Sequence, residues 1–437
     1  MDNYPNSIDL AAEEKLQKHA VFGGTLMTHG EGIYWYDRTG KAYLDCESQA
    51  WSLCLGFGNK EVLDAAFEQA KHMYHIKVGL STFPKLKLTE KILSLLPDVF
   101  DRVSFEPSGS IANEGAMKIA MINNPQARYF ISMYHAFHGN SLATTAASWY
   151  STKSPGHYGG GTKYMAFMQN FVKVPNPYCY RCPYNKTYGS CDFLCAEQLR
   201  NTMQCGVAGP VAAVILEPVQ GGGQIHCPPG YLERVRKICD EFGTFLIFDD
   251  MQCAFGRMGT MFSSDYYGVV PDMITIGKAL GNGFPIAGLV IQSKLKGFQE
   301  LNDDNFTYCN NPMAQAAALK TIEILIREKI PENAKKMGEV ITAGLKALQE
   351  KYPEIGDVRG PGLHIGVEMI KDPVSKEPAP ELAASIYHKG LENGISMGVG
   401  GGSPQVVKIK PPLIINEDQC GELLEKFEKS VAAAVKK

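Results

Sequence analysis

Residues Thr244–Lys278 read TFLIFDDMQCAFGRMGTMFSSDYYGVVPDMITIGK and carry the strongest fold signal in the chain. They contain two short runs, TFLIFD and MITIG, whose β-branched and aromatic residues are typical of strands that are covered on both faces. Helical patterns separate runs of this kind along the middle of the chain. The other strand-like runs are Arg102–Glu106, Ala127–Met133, Ala212–Leu216 and Ala287–Gln292. This alternation predicts an α/β fold with a mostly parallel central sheet and helices on both faces.

The two ends of the chain differ from this middle region. Short strand-like pieces occur near the start, and a long amphipathic helix begins near Ile330 and leads to further strands and a final helix from Glu417. We therefore predict a large domain and one smaller α+β domain built from both chain ends. The Cys- and Pro-rich segment 178–197 reads as an insertion in the large domain. The predicted parts are residues 1–58 (small domain), 59–328 (large domain) and 329–437 (small domain).

Composition limits the class of function. Of the 437 residues, 45% are hydrophobic and 20% are charged, and the formal net charge is −3, so a nucleic-acid partner is not expected. No apolar run approaches the roughly 18 residues that span a bilayer. The start, MDNYPNSIDLAAEEKLQKH, has no apolar leader core. We expect small-molecule partners, no membrane partner and a cytoplasmic location.

Polar residues follow three of the predicted strands, where ligands gather in an open parallel sheet. Ser108, Gly109 and Ser110 open a helix after RVSFEP, and the free N–H groups of a helix N-terminus bind phosphate. Asp249 ends TFLIF, where a buried carboxylate can hold a pyridine nitrogen protonated. Lys278 follows MITIG, where a lysine with a lowered pKa can attack an aldehyde. Each feature alone is weak, but their convergence favours one cofactor site.

Several segments resemble signatures of the class III (omega) pyridoxal-phosphate-dependent aminotransferase family, across nearly the whole chain. The most specific are FDDMQCAFGRMG at Phe248–Gly259 and PDMITIGKALGNGFPIAG at Pro271–Gly288. SGSIANEGAMKIA, YHAFHGNS, AVILEPVQG, VRGPGLHIGVEM and KIKPPLII match further signatures. The resemblance implies a fold type I transferase that binds pyridoxal 5′-phosphate.

The resemblance also implies roles for the matching residues. Lys278 would hold the cofactor as a Schiff base and carry the proton, and Asp249 would pair with the pyridinium nitrogen. Gln252 would donate to the phenolic oxygen, and Phe137 would stack on the ring. Thr307 matches a threonine that reaches the phosphate of the neighbouring subunit, which implies a homodimer. The cofactor-binding set is completed by Ser108, Gly109, Ser110 and His138.

Three residues are implied in substrate binding. Arg359 matches an arginine that takes a substrate carboxylate, and Glu217 matches the glutamate that neutralises it; the alternative is an ordinary buried ion pair. Trp51 resembles a tryptophan of members that act on terminal amines, with core packing as the alternative. The expected reaction is a ping-pong transfer from an omega-amine such as β-alanine or taurine to pyruvate or 2-oxoglutarate.

Two departures from the family pattern adjoin the predicted phosphate loop. Pro107 stands where asparagine is usual, and Ile111 stands where an acidic residue is common. They leave an amine lyase or an amino-acid racemase or epimerase open as alternatives, because relatives on this fold use the same lysine and aspartate. A non-enzymatic protein that kept the fold is disfavoured by the intact Lys278, Asp249 and Gln252.

A cluster of four cysteines lies in the insertion: Cys179, Cys182, Cys191 and Cys195. Four thiols at this spacing could hold zinc in a tetrahedral site. The alternative is a set of reduced thiols, as expected in a reducing compartment. The sequence leaves both open.

Overall fold

A computed structural model describes residues 26–149 and 170–435. Its strands are β1 (Met27–Glu31), β2 (Tyr34–Asp37), β3 (Ala42–Cys46), β4 (Phe100–Glu106), β5 (Tyr129–Met133), β6 (Phe171–Val174), β7 (Val211–Leu216), β8 (Val219–Gln220), β9 (Ile225–His226), β10 (Phe245–Asp249), β11 (Met273–Ile276), β12 (Ala287–Gln292), β13 (Ile355–Arg359), β14 (Ile365–Met369), β15 (Ile395–Met397) and β16 (Val406–Ile409).

The helices connect these strands. They are α1 (Lys60–His72), α2 (Phe83–Leu93), α3 (Gly109–Asn123), α4 (Leu142–Ala147), α5 (Leu194–Asn201), α6 (Tyr231–Glu241), α7 (Ser263–Tyr267), α8 (Pro312–Arg327), α9 (Ile330–Lys351), α10 (Pro380–Glu392) and α11 (Glu417–Val435). Within the described ranges, no helix is long and apolar enough to cross a membrane.

The central sheet has seven strands in the order β4-β12-β11-β10-β7-β5-β6. Strand β12 runs antiparallel to its neighbours β11 and β4, and the other neighbouring strands are parallel. The predicted mostly parallel α/β sheet is therefore confirmed. The carboxyl ends of β10 and β11 lie side by side, which brings the residues that follow them to one edge.

Helices cover both faces of this sheet, as the apolar strands require. On β7, Val214 and Leu216 belong to a buried cluster that includes Tyr231 of α6. The alternate residue Ile215 belongs to a second cluster with Met117 of α3. Each buried side chain of this size stabilises the fold by about 1.5–3 kcal/mol, so the sheet is a rigid support for the loops at its edge.

The two chain ends meet in the smaller sheets. Strand β15 pairs in parallel with β3, in the order β1-β2-β3-β15, and β13-β14-β16 form an antiparallel sheet. This agrees with the predicted smaller α+β unit from both ends. The boundaries 1–58, 59–328 and 329–437 stay predictions, and residues 1–25 and 436–437 lie outside the described part of the chain.

Candidate functional site

Lys278 lies directly beyond β11, at the edge of the central sheet. Its φ is +47°, a left-handed value that is uncommon for non-glycine residues. Its Nζ makes no hydrogen bond or ion pair with any described residue and lies 6.0 Å from the ring centroid of Trp51. Desolvation by burial lowers the pKa of Lys278, which favours the neutral amine, the nucleophilic form.

Asp249, at the end of β10, is held by a buried hydrogen-bond network. Its Oδ2 accepts from His138 Nδ1 at 2.8 Å and from Asn113 Nδ2 at 2.9 Å. Asn113 Oδ1 in turn accepts from Thr275 Oγ1 at 2.6 Å. The other oxygen, Oδ1, accepts only a long 3.3 Å bond from the Met251 backbone. The protein therefore holds Oδ2 in place and leaves Oδ1 available for a ligand.

His138 and Asn113 thus support Asp249 by holding its Oδ2. The structure brings His138 to Asp249, where it orients the carboxylate. Sequence reasoning did not single out Asn113, although it stands in the quoted segment SGSIANEGAMKIA. Its position one turn into α3 was the signal, because that turn faces the strand end.

The start of α3 forms a cradle of small residues. Ser108 caps the helix, and the backbone N–H groups of Gly109 and Ser110 have no acceptor among the described residues. Ser110 Oγ accepts from Asn140 N at 3.1 Å. A side chain at Gly139 would collide with Ser110 Oγ. The helix end is therefore kept open for a small anionic group.

Gln252 is oriented by a residue that the sequence did not reveal as a site residue. Lys410 Nζ donates to Gln252 Oε1 at 2.9 Å. This bond fixes the amide with its oxygen toward Lys410 and leaves its NH₂ group free to donate. Lys410 Nζ also lies 3.7 Å from the ring centroid of Trp51. Lys410 therefore links the two predicted site residues.

Trp51 lies at the end of a turn whose backbone is in the left-handed region. All four residues of Ser48–Trp51 have positive φ, from +47° to +66°. Ser48 Oγ fixes the turn by donating to Lys410 O at 2.7 Å and accepting from Arg257 at 3.1 Å. Trp51 Nε1 is buried without a partner among the described residues. The ring faces both Lys278 and Lys410, so it belongs to the site.

Both carboxylate oxygens of Glu217 accept hydrogen bonds from backbone N–H groups, one of them that of Phe137, the predicted ring-stacking residue. Its two oxygens accept from Phe137 N and Gly221 N, each at 2.9 Å. Burial raises the pKa of Glu217. Glu217 therefore positions Phe137, which is partly exposed at the same edge.

The expected pairing of Arg359 with Glu217 is wrong in this structure. Arg359 pairs instead with Glu368 at 2.6 Å and with Asp357 at 2.8 Å, and it donates to Tyr178 Oη at 3.1 Å. The carbonyls of residues 223 and 224 accept its remaining N–H groups. The antiparallel register of β13 and β14 sets this partner. A substrate carboxylate would have to displace a buried ion pair to reach the guanidinium.

Two other predicted features lie away from Lys278. Thr307 is exposed on the loop before α8 and makes no hydrogen bond to the other predicted site residues. In the insertion, all four cysteines are free thiols. Across residues 26–149 and 170–435, no group of three or more His, Cys, Asp or Glu side chains has the arrangement to hold a metal ion. The structure gives the zinc alternative no support.

The residues present fit pyridoxal 5′-phosphate. An unpaired lysine, an oriented carboxylate and an open helix N-terminus match an aldehyde, a ring nitrogen and a phosphate in chemical character. The buried Nε2 of His138 and Nε1 of Trp51, which lack partners among the described residues, lie in the same region. The donor set is therefore complete for that group.

Comparisons with known proteins agree with this geometry. Residues 17–431 match the family model described as aminotransferase class-III. A taurine–pyruvate aminotransferase of Bilophila wadsworthia is 32% identical over 448 residues, covering 97% of this chain and 95% of that protein. A leucine/methionine racemase of Thermococcus litoralis is 32% identical over 400 residues, covering 91% and 88%. An omega transaminase of Pseudomonas jessenii, solved in complex with PMP, has a TM-score of 0.87 at 27% identity and covers 98% of each chain.

Proposed function

Because the chain belongs to the class III aminotransferase family, we propose that it transfers the amino group of an omega-amine to a 2-oxo acid such as pyruvate or 2-oxoglutarate. Its cofactor is pyridoxal 5′-phosphate, on which the family depends. The observation that carries the proposal is Lys278, a lysine with a lowered pKa that has no hydrogen-bond or ion-pair partner among the described residues and lies at the same sheet edge as Asp249.

Lys278 is the residue that moves the proton. When bound, the cofactor supplies an aldehyde for the amino group and a ring that takes up an electron pair. The neutral amine of Lys278 removes a proton from the substrate carbon, and the resulting ammonium returns it. Since no described side chain competes for Nζ, Lys278 is free to do both. Glu217, with both oxygens bonded to backbone, does not compete for the proton.

Asp249, held by Asn113 and His138, supplies a negative charge at the end of β10. Asn113 and His138 hold Oδ2, so Oδ1 would be the oxygen available to stabilise a protonated ring nitrogen. The N–H groups of Gly109 and Ser110 would hold the phosphate, and the free NH₂ of Gln252 would donate to the phenolic oxygen. These residues would hold and orient the group at the sheet edge where Lys278 lies.

We place the working site in a homodimer, with Thr307 completing the neighbouring site. The exposed apolar residues near Thr307 support this: Tyr74 is 68% exposed, Phe83 74% and Tyr308 67%. Asn310 ties this loop to the Tyr74–Phe83 segment by bonds to backbone carbonyls at 2.8 and 3.1 Å. Large exposed apolar side chains on neighbouring segments are typical of a subunit interface, and the occupant we assign is a second copy of the chain.

A spectroscopic experiment tests the transfer. The holoenzyme is mixed with β-alanine, taurine or propylamine without any 2-oxo acid. A transaminase loses its cofactor absorbance in proportion to enzyme, and pyruvate or 2-oxoglutarate restores it. Turnover without this loss would assign the chain to the racemase or lyase alternative, which the racemase relative and the residues Pro107 and Ile111 keep in view.

A further inference from the structure

Strand β4 ends in a buried carboxyl group. Glu106 is 1% exposed and lies two residues before Ser108, which caps the phosphate cradle. It stands opposite Ala287 of β12. Its Oε1 accepts from Ser104 Oγ at 2.9 Å, whereas its Oε2 is buried and has no donor among the described residues. An ionised carboxylate with one bare oxygen is costly in such a place, so this oxygen needs a partner.

The partner of Glu106 is another acid. Asp304 lies on the loop that leads into α8, and its side chain hydrogen-bonds that of Glu106. Its Oδ1 is buried as well, with no donor within residues 26–149 and 170–435. Ionised carboxylates only accept hydrogen bonds, so a bond between two of them requires a proton on one. We call Glu106 and Asp304 the carboxyl pair, and their geometry requires that they hold one proton between them.

Glu106 is the protonated member of the carboxyl pair. Burial raises the pKa of Glu106, and the hydrogen bond with Asp304 raises it further. Burial also raises the pKa of Asp304, but the same hydrogen bond lowers it. Since Ser104 donates to Oε1, the oxygen that is left to carry the proton is Oε2. The proton therefore lies on Glu106, and Asp304 accepts it.

The other charged groups around the carboxyl pair do not neutralise it. Lys118 of α3 attracts both members, but its Nζ donates to the carbonyl of Asp303 at 2.8 Å and lies 5.3 Å from the ring centroid of Phe306. Asp303 repels the pair, and the thiol of Cys309 faces it with Lys85 of α2 nearby. In the described part of the chain, neither member forms an ion pair. The proton is thus the group that holds the two acids together.

The carboxyl pair joins two parts of the site that are distant in the chain. Glu106 is followed within three residues by Gly109 of the phosphate cradle, and Asp304 lies three residues before Thr307. Asn310 fastens the end of the same loop to the carbonyls of residues 77 and 80. The pair fastens the part of the loop that precedes Thr307, so the position of Thr307 depends on it.

We propose that Glu106 and Asp304 are positioning residues for the cofactor phosphate, because by sharing one proton they hold the loop of Thr307 against the end of β4. When the proton leaves for solvent, two buried carboxylates repel each other and the loop opens. This inference rests on the proposed function, since Thr307 serves the neighbouring phosphate only under that proposal.

The proposal fixes the sign of a pH dependence. In the open loop Glu106 has the ordinary glutamate pKa of about 4.3, and in the closed loop burial and Asp304 raise that pKa. Opening therefore releases a proton at any pH between these two values. The closed loop is most stable at low pH, and the ratio of open to closed loop rises by up to about tenfold for each pH unit.

Infrared spectroscopy of the cofactor-free protein detects the proton directly. A protonated carboxyl group has a C=O stretch that is distinct from the bands of a carboxylate. We expect this band at about pH 7 in the wild type and its loss in Glu106→Gln. The difference spectrum between the two proteins removes the contribution of other buried acids. Glu350→Gln, at an exposed glutamate of α9, is the matched control and should leave the band unchanged.

Hydrogen exchange measures how firmly the loop is held. Glu106→Gln keeps both hydrogen bonds without a titrating proton, because its NH₂ donates to Asp304 and its oxygen accepts from Ser104; Asp304→Ala removes the bond. Protection factors for residues 299–311 are corrected for the intrinsic exchange rate at each pH. From about pH 6 to about pH 9 the wild type should lose protection at least about tenfold. Glu106→Gln should stay protected throughout, and Asp304→Ala should be unprotected throughout.

Cofactor release measures the consequence for the site. The rate at which the holoenzyme loses its cofactor is followed by absorbance over the same pH range. The ratio of the wild-type rate to the Glu106→Gln rate should rise at least about tenfold with pH. Asp304→Ala should lose the cofactor faster than Glu106→Gln at every pH. Far-ultraviolet circular dichroism and a thermal melt show that each variant is folded.

Each outcome decides the inference. Absence of the infrared band overturns it, and so does equal protection of the wild type and Glu106→Gln at every pH. Protection that depends on added KCl or MgCl₂, without the band, also overturns it, because a cation would then bridge the two acids. A pH-dependent loop with unchanged cofactor release refutes the positioning role. The infrared and exchange measurements need no turnover, so they stay decisive if no amine bleaches the holoenzyme and the transfer function falls.

Discussion

Lys278 carries a buried amine on a left-handed backbone, and this amine has no hydrogen-bond or ion-pair partner in the part of the chain that the structure describes. Replacement by alanine removes the group that carries the proton, so we expect Lys278→Ala to slow the half-reaction by at least about 10³-fold. Stopped-flow absorbance with β-alanine measures this. The melting temperature of the cofactor-free protein should not fall, since the buried amine that is removed makes no hydrogen bond or ion pair with any described residue. Lys371→Met, a change at an exposed lysine away from the site, is the control, and a Lys278→Ala rate within tenfold of wild type would contradict the assignment.

Arg359 and Lys408 show why a single strand pattern does not identify a site. Both are buried cations on one face of the β13-β14-β16 sheet, but Arg359 pairs with Glu368, whereas Lys408 has no hydrogen-bond or ion-pair partner among residues 26–149 and 170–435. We expect Arg359→Met to destabilise the protein by about 3 kcal/mol, because it leaves Glu368 buried and less compensated. Lys408→Met should instead stabilise it by about 1 kcal/mol or more. Urea unfolding of both variants measures the contrast, and equal signs would refute our account of this face.

Helix α3 joins the phosphate cradle to the carboxylate. Ser108 to Ser110 lie at its start, and Asn113 bonds Asp249 one turn later. Asn113→Ala leaves buried groups without partners, so we expect a loss of about 1–3 kcal/mol in stability and weaker cofactor binding. Chemical unfolding and cofactor titration measure these effects. Met121→Ala, at a half-exposed site on the same helix, should change neither.

The elements of the large sheet could be predicted because their sequences are apolar nearly throughout. The run Ala287–Gln292 coincides with β12, and Thr244–Asp249 differs from β10 by one residue. The order Ser108, Asp249, Lys278 predicted the convergence at one edge. The partner of Arg359 could not be predicted, because it depends on hairpin register. The burial of Lys408 and Lys410 in VVKIK could not be predicted either, because alternation on an edge strand predicts that these side chains contact solvent.

At the scale of the whole molecule, the proposed dimer predicts that two different inactive variants can complement each other. If Thr307 serves the neighbouring site, Thr307→Ala should bind the cofactor more weakly, and mixing it with inactive Lys278→Ala should restore activity. In the mixed dimer one site has both an intact Lys278 and an intact Thr307. Subunits are exchanged by refolding together, and activity is measured against each variant alone. No gain on mixing would contradict a shared site.

A charged substitution on the proposed interface tests the same assembly. Phe83→Glu places a carboxylate on the apolar surface around Tyr74 and Tyr308, so we expect the dimer to dissociate and activity to fall with it. Analytical ultracentrifugation measures the mass. Val374→Glu, at a 91% exposed position on another loop, is the control and should leave the mass unchanged.

The pairing of β3 with β15 has a consequence for the order of assembly during synthesis. Leu44 leaves the ribosome early, but its partner Ile395 leaves near the end. The turn that carries Trp51 follows β3, and Lys410 follows β15. The central sheet with Asp249 and Lys278 is already translated by then. A nascent chain can therefore form the strand ends that carry Asp249 and Lys278 before it forms the side of the site that holds Trp51 and Lys410, because that side closes only when β15 pairs with β3.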